Sequence, residues 1–402
     1  MADLHNIKCI IFFLIFLKSS KVSLCLSLLY LHKTTPMDMT QLQYAMALQA
    51  VPNIGDITAK KLIHYCGSPE AVFKASKRSL YTISGIGSVT VKNLQSSKAM
   101  ALAEKELTFN QKHNINAFYF EETGYPYRLK HCIDGPIVLF QIGAIIWNKS
   151  PVISIVGTRQ LTAYGERQCR RLVEALSVFN PIVVSGYAYG TDITAHKAAL
   201  DCNLQTVGCM AQGLQNTYPA NHKKYRPKLE AHGGFVTDFW STSEFKPSNF
   251  IRRNRLIAGL SEATVVIESA EKGGSLITAD LAFGYNREVF ALPGRVNDPH
   301  SIGCLNLIKI KKAHLLSIPE DLPYILNWDL KIHSNSDSPK AHKSLDGDEK
   351  RIYEFLKKAG KSHLDFIASD CNMTTSKVAY LLLNLELKGV LRPIPGNVFE
   401  LL

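Results

Sequence analysis

No G-x-x-x-x-G-K-S/T segment occurs anywhere in the chain, which excludes a P-loop. The nine cysteines form no CxxC pair and no metal-ligand spacing, so no metal is expected, and an odd, scattered set points to a reducing cytoplasm. Apolar runs of roughly 20 residues, the length that spans a bilayer, are also missing, so no membrane partner is expected. Cys9 to Leu17 (CIIFFLIFL) and Val22 to Leu31 (VSLCLSLLYL) are about half that length and are split by KSSK. No small-residue cleavage site follows them, as a signal peptide would require. Residues 1–36 are therefore read as a start codon placed too far upstream, with Met37 or Met39 as the true beginning.

What is present is a 402-residue chain, 46% apolar, long enough for two or three domains with a sizeable core. Its net charge of +12 favours a polyanionic partner such as nucleic acid. Two segments repeat at an offset of 32 residues: Pro52 to Leu62 (PNIGDITAKKL) and Ser84 to Leu94 (SGIGSVTVKNL) superpose Ile54 on Ile86, Gly55 on Gly87 and Lys60 on Lys92. This glycine turn between helices is the helix-hairpin-helix pattern, which either meets a DNA phosphate through backbone N–H groups or serves as a plain packing unit. It defines an N-terminal helical (SAM-like) domain over 37–110.

From Val152 onward, apolar runs alternate with amphipathic helices. Strands are expected at 152–157, 182–186, 205–210, 234–239, 263–269 and 288–294, with helices near 162–178, 191–201, 220–232, 252–260 and 275–286. Continuous apolar strands between helices imply an α/β fold with a Rossmann-like, doubly wound parallel sheet over 111–330. Ligands of such sheets sit at the carboxyl ends of the strands. A polar stretch, 331–349, reads as a linker. Residues 350–402 give three helical segments and a hairpin around Pro395-Gly396, a winged helix whose third helix begins near Thr374. That helix carries only Lys377 and Lys388 as cations and is rich in leucine, so DNA and protein remain equally open as its partner.

The strand-end loops are Val156–Arg159 (VGTR), Ser185–Asp192 (SGYAYGTD) and Lys272–Ser275 (KGGS). The first has no G-x-G-x-x-G and the second strand ends in Ser185-Gly186 rather than an acid, so no dinucleotide cofactor is expected. Ser185, Asp192 and His196 lack a nucleophile elbow, and Asp192 and His196 lie four apart on one helix, where they can pair with each other. Ser275 is expected to cap the helix after Gly273-Gly274. The densest cationic segment is Asn249–Ser261 (NFIRRNRLIAGLS), with Arg252, Arg253, Asn254 and Arg255 at a helix start and no acid between Phe245 and Leu260. Guanidinium forks bind phosphate bidentately and stack on bases. Phe250, Tyr187 and Tyr189 add aromatic faces. Cations and aromatics without an acid-base pair point to a nucleic-acid groove in which Arg159, Arg253 and Arg255 hold the backbone. Gly157, Thr158, Ser185, Gly186, Gly273, Gly274 and Ser275 let main-chain amides approach the phosphates.

On these residues the chain resembles the DNA-processing protein A (DprA, also called Smf) family. The matching motifs are VGTR with Tyr164-Gly165, SGYAYGTDITAH (Ser185 to His196), YPANH (Tyr218 to His222), RRNRLIAGLS (Arg252 to Ser261), GGSLITA (Gly273 to Ala279) and PGR (Pro293 to Arg295). The resemblance implies a cytoplasmic protein that binds single-stranded DNA without sequence preference during natural transformation, dimerises through the Rossmann domain, helps load RecA and catalyses no reaction. Three positions depart from the family pattern: Tyr189 replaces an arginine, Thr237-Asp238 a serine-glutamate, and Leu305 an asparagine. The enzymatic rival is a nucleotide phosphoribohydrolase with a P-G-G-x-G-T-x-x-E loop; here KGGSLITAD puts Leu276 and Ile277 at the glycine and threonine positions and Asp280 at the glutamate. A second rival is an adaptor whose basic face binds protein.

Overall fold

The structure is a computed structural model that describes residues 39–95, 98–147, 150–328, 345–388, 390–394 and 397–401. Residues 1–36, most of the expected linker and the Pro395-Gly396 turn lie outside the described residues. The chain divides into two compact units, the first ending at Lys331 and the second beginning at Ile332.

The first unit opens with helices α1 (Met39–Ala50), α2 (Asp56–Cys66), α3 (Ser88–Leu94) and α4 (Lys98–Lys112), with shorter helical segments between α2 and α3. The sequence repeat is a structural repeat. Asn53 and Gly85, which superpose at the 32-residue offset, both take left-handed backbone angles (φ 64° and 84°). Asn and Gly are the residues that tolerate that region. Ile54 and Ile86 follow and are buried, and Gly55 and Gly87 are the extended N-caps of α2 and α3.

The sheet holds nine strands: β1 (Asn116–Tyr119), β2 (Val138–Gly143), β3 (Val152–Val156), β4 (Ile182–Ser185), β5 (Thr206–Cys209), β6 (Gly233–Thr237), β7 (Ala263–Val266), β8 (Glu288–Ala291) and β9 (His314–Leu315). Their order is β1-β2-β6-β5-β4-β3-β7-β8-β9. From β6 to β9 every pairing is parallel, as the alternating pattern requires. The two strands the pattern does not announce, β1 and β2, extend the sheet antiparallel beside β6. Their junction needs glycine on both sides: a Cβ at Gly143 (φ 98°) would fall 2.3 Å from the Gly233 carbonyl oxygen, and one at Gly234 2.0 Å from that of Ile142.

Alternate strand residues face opposite layers. Val152, Val156, Val184 and Val266 pack with Leu256, Ile257, Ala279 and Ala282 of α7 (Pro247–Leu260) and α8 (Gly274–Gly284). Ile153, Ile155, Val183 and Val265 pack with Leu172 and Val173 of α5 (Ala163–Leu176) and Ala195 and Ala199 of α6 (Thr191–Asp201). Covering both faces explains why the strands read as unbroken apolar runs. Among the described residues no helix is long and apolar enough to cross a membrane.

In the second unit, Gly347–Ala359, Leu364–Asp370 and Thr375–Leu387 form the three helices of a winged helix with a three-stranded sheet from Lys361–His363, Leu391–Ile394 and Val398–Leu401. Asp346 and Glu349 make a reciprocal capping box at the first helix, and Thr374 caps the third. The third helix leaves Tyr380 and Leu383 exposed.

Candidate functional site

Three loops at the carboxyl ends of β3, β4 and β7 meet the middle of α7 around a cavity of about 400 Å³. Its walls include Gly157, Thr158, Arg159, Ala188, Asp192, Phe250, Arg253, Asn254, Gly273, Gly274 and Ser275. This size suits a small ligand or one or two nucleotides.

The VGTR turn is tight for a visible reason. A Cβ on Gly157 would sit 2.4 Å from the Thr191 hydroxyl and 3.0 Å from the Glu268 carbonyl oxygen. Thr158 N–H donates to that same Glu268 oxygen (2.8 Å), and the Thr158 carbonyl accepts from the N–H and hydroxyl of Thr191 (3.1 and 3.2 Å). Helix α5 then starts with Thr162, whose hydroxyl accepts from Gly165 N–H (3.1 Å) while its own N–H donates to the buried Glu268 carboxylate (3.0 Å). The result holds Arg159 outward. Its guanidinium lies 5.2 Å from the centre of the Phe250 ring and has no carboxylate within ion-pair distance among the described residues.

Arg253 comes from below. It is only 4% exposed and one terminal nitrogen donates to the carbonyls of Gly186 and Cys209 (2.7 Å to Cys209). Gly186 is glycine because a Cβ would meet that guanidinium and the Asp192 carboxylate, 2.6 Å away. Burial lowers the Arg253 pKa from its usual value, opposed by Asp192. Burial likewise raises the Asp192 carboxyl, opposed by Arg253 and by the hydrogen bond from Ala188 N–H (3.2 Å). Phe250 belongs to a triangle of rings with Tyr218 and Phe245, at centroid distances of 5.8 and 5.6 Å, and the latter two are close to half exposed.

Several sequence expectations change here. Arg255 does not reach the cavity. Its guanidinium donates to the carboxylates of Asp56 (2.9 Å) and Asp238 and to the Asp134 carbonyl, tying α2 to the sheet. A helix turns about 100° per residue, so two positions along α7 send a side chain to the opposite side. Burial alone would lower the Arg255 pKa; Asp238 and Asp56 hold it well above its usual value. Burial alone would raise Asp238; Arg255 and Arg252 hold it below. Arg252 is half exposed but paired with Asp238 (2.9 Å) and stacked 4.9 Å from the Phe239 ring, outside the cavity wall.

Ser185 is buried, its hydroxyl donating to the Ile155 carbonyl (2.6 Å), and Gly186 serves Arg253; neither lines the cavity. The Thr158 amide is spent on Glu268 and so cannot approach a ligand. Ser275 does not cap α8: its hydroxyl donates to Ser269 (2.9 Å), and the N-cap is Gly273 without a side-chain bond. Tyr187 is core rather than rim, its hydroxyl bonded to the His222 carbonyl (2.7 Å). Asp192 and His196 do not pair; His196 Nδ1 bonds the Thr206 hydroxyl at 2.7 Å, and burial drops its pKa to about 3. Three residues beside the site were not assigned to it from the sequence: Glu268, Phe245 and Tyr218, the last quoted only as the start of YPANH. Glu268 lies two residues past the end of β7, at the carboxyl edge of the sheet where ligand loops begin.

Fold and cavity together define a Rossmann-like protein with an arginine-flanked strand-end pocket, carried on a chain that ends in a winged helix. A model of the DNA recombination-mediator protein A family matches residues 116–327, and a DprA winged helix domain model matches 336–397. The chain belongs to the DNA recombination-mediator protein A family. Protein Smf of Escherichia coli is 33% identical over 305 residues, 74% of this chain and 80% of that one. DNA processing protein DprA of Bacillus subtilis is 36% identical over 200 residues, 50% of this chain and 67% of its own. The X-ray structure of DNA processing protein A from Streptococcus pneumoniae superposes with a TM-score of 0.59 at 26% identity, covering 70% of this chain and 95% of that one.

Proposed function

We propose that this protein binds single-stranded DNA through the pocket between VGTR, α7 and the KGGS loop, without reading sequence, and acts as a mediator that helps load RecA in the cytoplasm. The observation that carries the reading is the pairing of an unneutralised, outward Arg159 with the half-buried Phe250 ring, 5.2 Å apart, at the mouth of the cavity. A cation beside an aromatic face suits one phosphate and one base, and stacking is sequence-tolerant because every base has a π-face. Arg159 and Asn254 hold the phosphate, and the free N–H groups at the start of α8 add the favourable end of a helix dipole. Arg253 acts by fixing the floor. Two carboxylates near the loops are both engaged: Asp192, in the cavity wall, faces the Arg253 guanidinium and accepts from Ala188 N–H, and Asp280 is paired with Lys312 at 2.7 Å. A homodimer would set two such pockets side by side.

Fluorescence anisotropy of labelled single-stranded and duplex oligonucleotides across a salt series tests this. The expected result is preference for the single strand, falling steeply with salt as counterions return to the phosphates. Equal, weak binding to both, or release of base from nucleoside monophosphates, would overturn it in favour of the phosphoribohydrolase reading.

A further inference from the structure

Beyond the pocket, the second strand-end loop leads to another cationic point. Ala188 lines the cavity, and the next residue, Tyr189, is 43% exposed with its ring 4.9 Å from that of His222. His222 in turn packs 6.2 Å from Tyr225, in the segment Ala220–Tyr225. Tyr225 is met by two ammonium groups at once: Lys197 Nζ from α6 lies 5.2 Å from its ring centre and Lys224 Nζ 5.1 Å. Two like charges drawn to one ring repel each other, and an anion between them removes that cost.

No protein anion does so. Glu230 is taken by Arg226 (2.7 Å) and Asp201 by Arg170 (3.2 Å), and among the described residues no carboxylate lies within ion-pair distance of Lys197, Lys223, Lys224 or Lys228. Although burial works in the other direction, Lys197 and Lys224 hold the Tyr225 phenol below its usual pKa. Two ammonium groups gathered on one ring suit the oxygens of a phosphodiester.

We infer that Lys197, Lys224 and Tyr225 form a second phosphate-binding station, taking the backbone of a nucleic-acid strand that runs on from the pocket past Tyr189. The inference rests on the single-strand reading above. It makes the footprint longer than the pocket and adds affinity only for strands long enough to reach both places.

The test uses the full chain, a Lys197→Met, Lys224→Met double variant that keeps the aliphatic stems, and labelled oligothymidylates from about 4 to about 16 nucleotides. For wild type, affinity should keep rising with length. The variant should bind the shortest oligonucleotide like wild type and the longest about tenfold more weakly, with a salt slope shallower by roughly 1.4, two contacts at about 0.7 each for a single strand. Equal weakening at every length, or none, would overturn the station. So would an unchanged length dependence together with inorganic phosphate binding that only the variant loses, the mark of a site for free phosphate. A wild-type protein that binds no oligonucleotide fails the pocket reading itself, whereas wild-type binding matched by the variant fails only the station.

Discussion

Arg253 and Arg255 stand two residues apart on one helix, in one cationic motif, and serve opposite sides of that helix. Toward the cavity, Arg159, Arg253 and Asn254 face open volume, and Arg159 has no ion-pair partner among the described residues. Toward the α2 side, Arg255 is closed in by Asp56, Asp238 and the Asp134 carbonyl, with Asp238 fully buried. A charge left without a partner at a cavity is available to a ligand; a charge with two carboxylates is a strut. The same contrast separates the two hairpins. The first spends Asp56 on Arg255 and on Ile137 N–H (3.0 Å), and Lys60 on the Cys132 carbonyl (2.7 Å), so its turn packs against the sheet. The second leaves Gly87, Ser88 and Val89 exposed.

The comparison breaks if the strut carries binding or the pocket carries stability. The largest effect is expected for Arg255→Ala: it leaves the buried Asp56 carboxylate without its guanidinium and buried Asp238 with only the half-exposed Arg252, and costs about 3 to 5 kcal/mol, read by urea unfolding of the first unit. Folded molecules of that variant should still bind DNA. Acid comes next. His196 is held neutral in the fold with its pKa near 3, whereas the unfolded chain takes up a proton near pH 6.5. The unfolded state therefore binds more protons between these values and stability falls as pH drops, by on the order of 3 kcal/mol from pH 7 to pH 4. Asp192, raised by burial, titrates with the opposite sign and softens the fall. Thermal melts at graded pH check the direction.

Phe250→Ala belongs to the pocket side. It should leave the melting temperature nearly unchanged and weaken single-strand binding by about 1 to 3 kcal/mol, the worth of one stacked base. A binding loss no larger than for an exposed aromatic elsewhere would remove Phe250 from the groove. The smallest effect is expected at the lip: Thr162→Ala removes the cap of α5 and lowers stability by about 1 kcal/mol, measured by denaturant titration, with binding nearly intact.

The parallel sheet was legible because its strands are buried on both faces and read as unbroken runs such as VISIV and ATVV. The antiparallel pair β1 and β2 was not, since NAFY and VLFQIG are short and join the sheet through a glycine contact that only three dimensions reveal. The pocket was legible as a set of loops and cations. Its division into free and spent side chains was not, because the partners of Arg255 lie at positions 56 and 238, and those of Arg253 are main-chain carbonyls with no sequence signature. Asp238, noted as a departure from the family pattern, proves to be the acid that closes the strut.

The most direct measurement is the slope of log affinity against log salt for a single-stranded oligonucleotide, taken with wild type and with Arg159→Met. A working Arg159–Phe250 pocket predicts weaker binding and a slope shallower by roughly 0.7 in the variant, with the fold intact by circular dichroism. Wild-type affinity and slope in the variant would contradict the account.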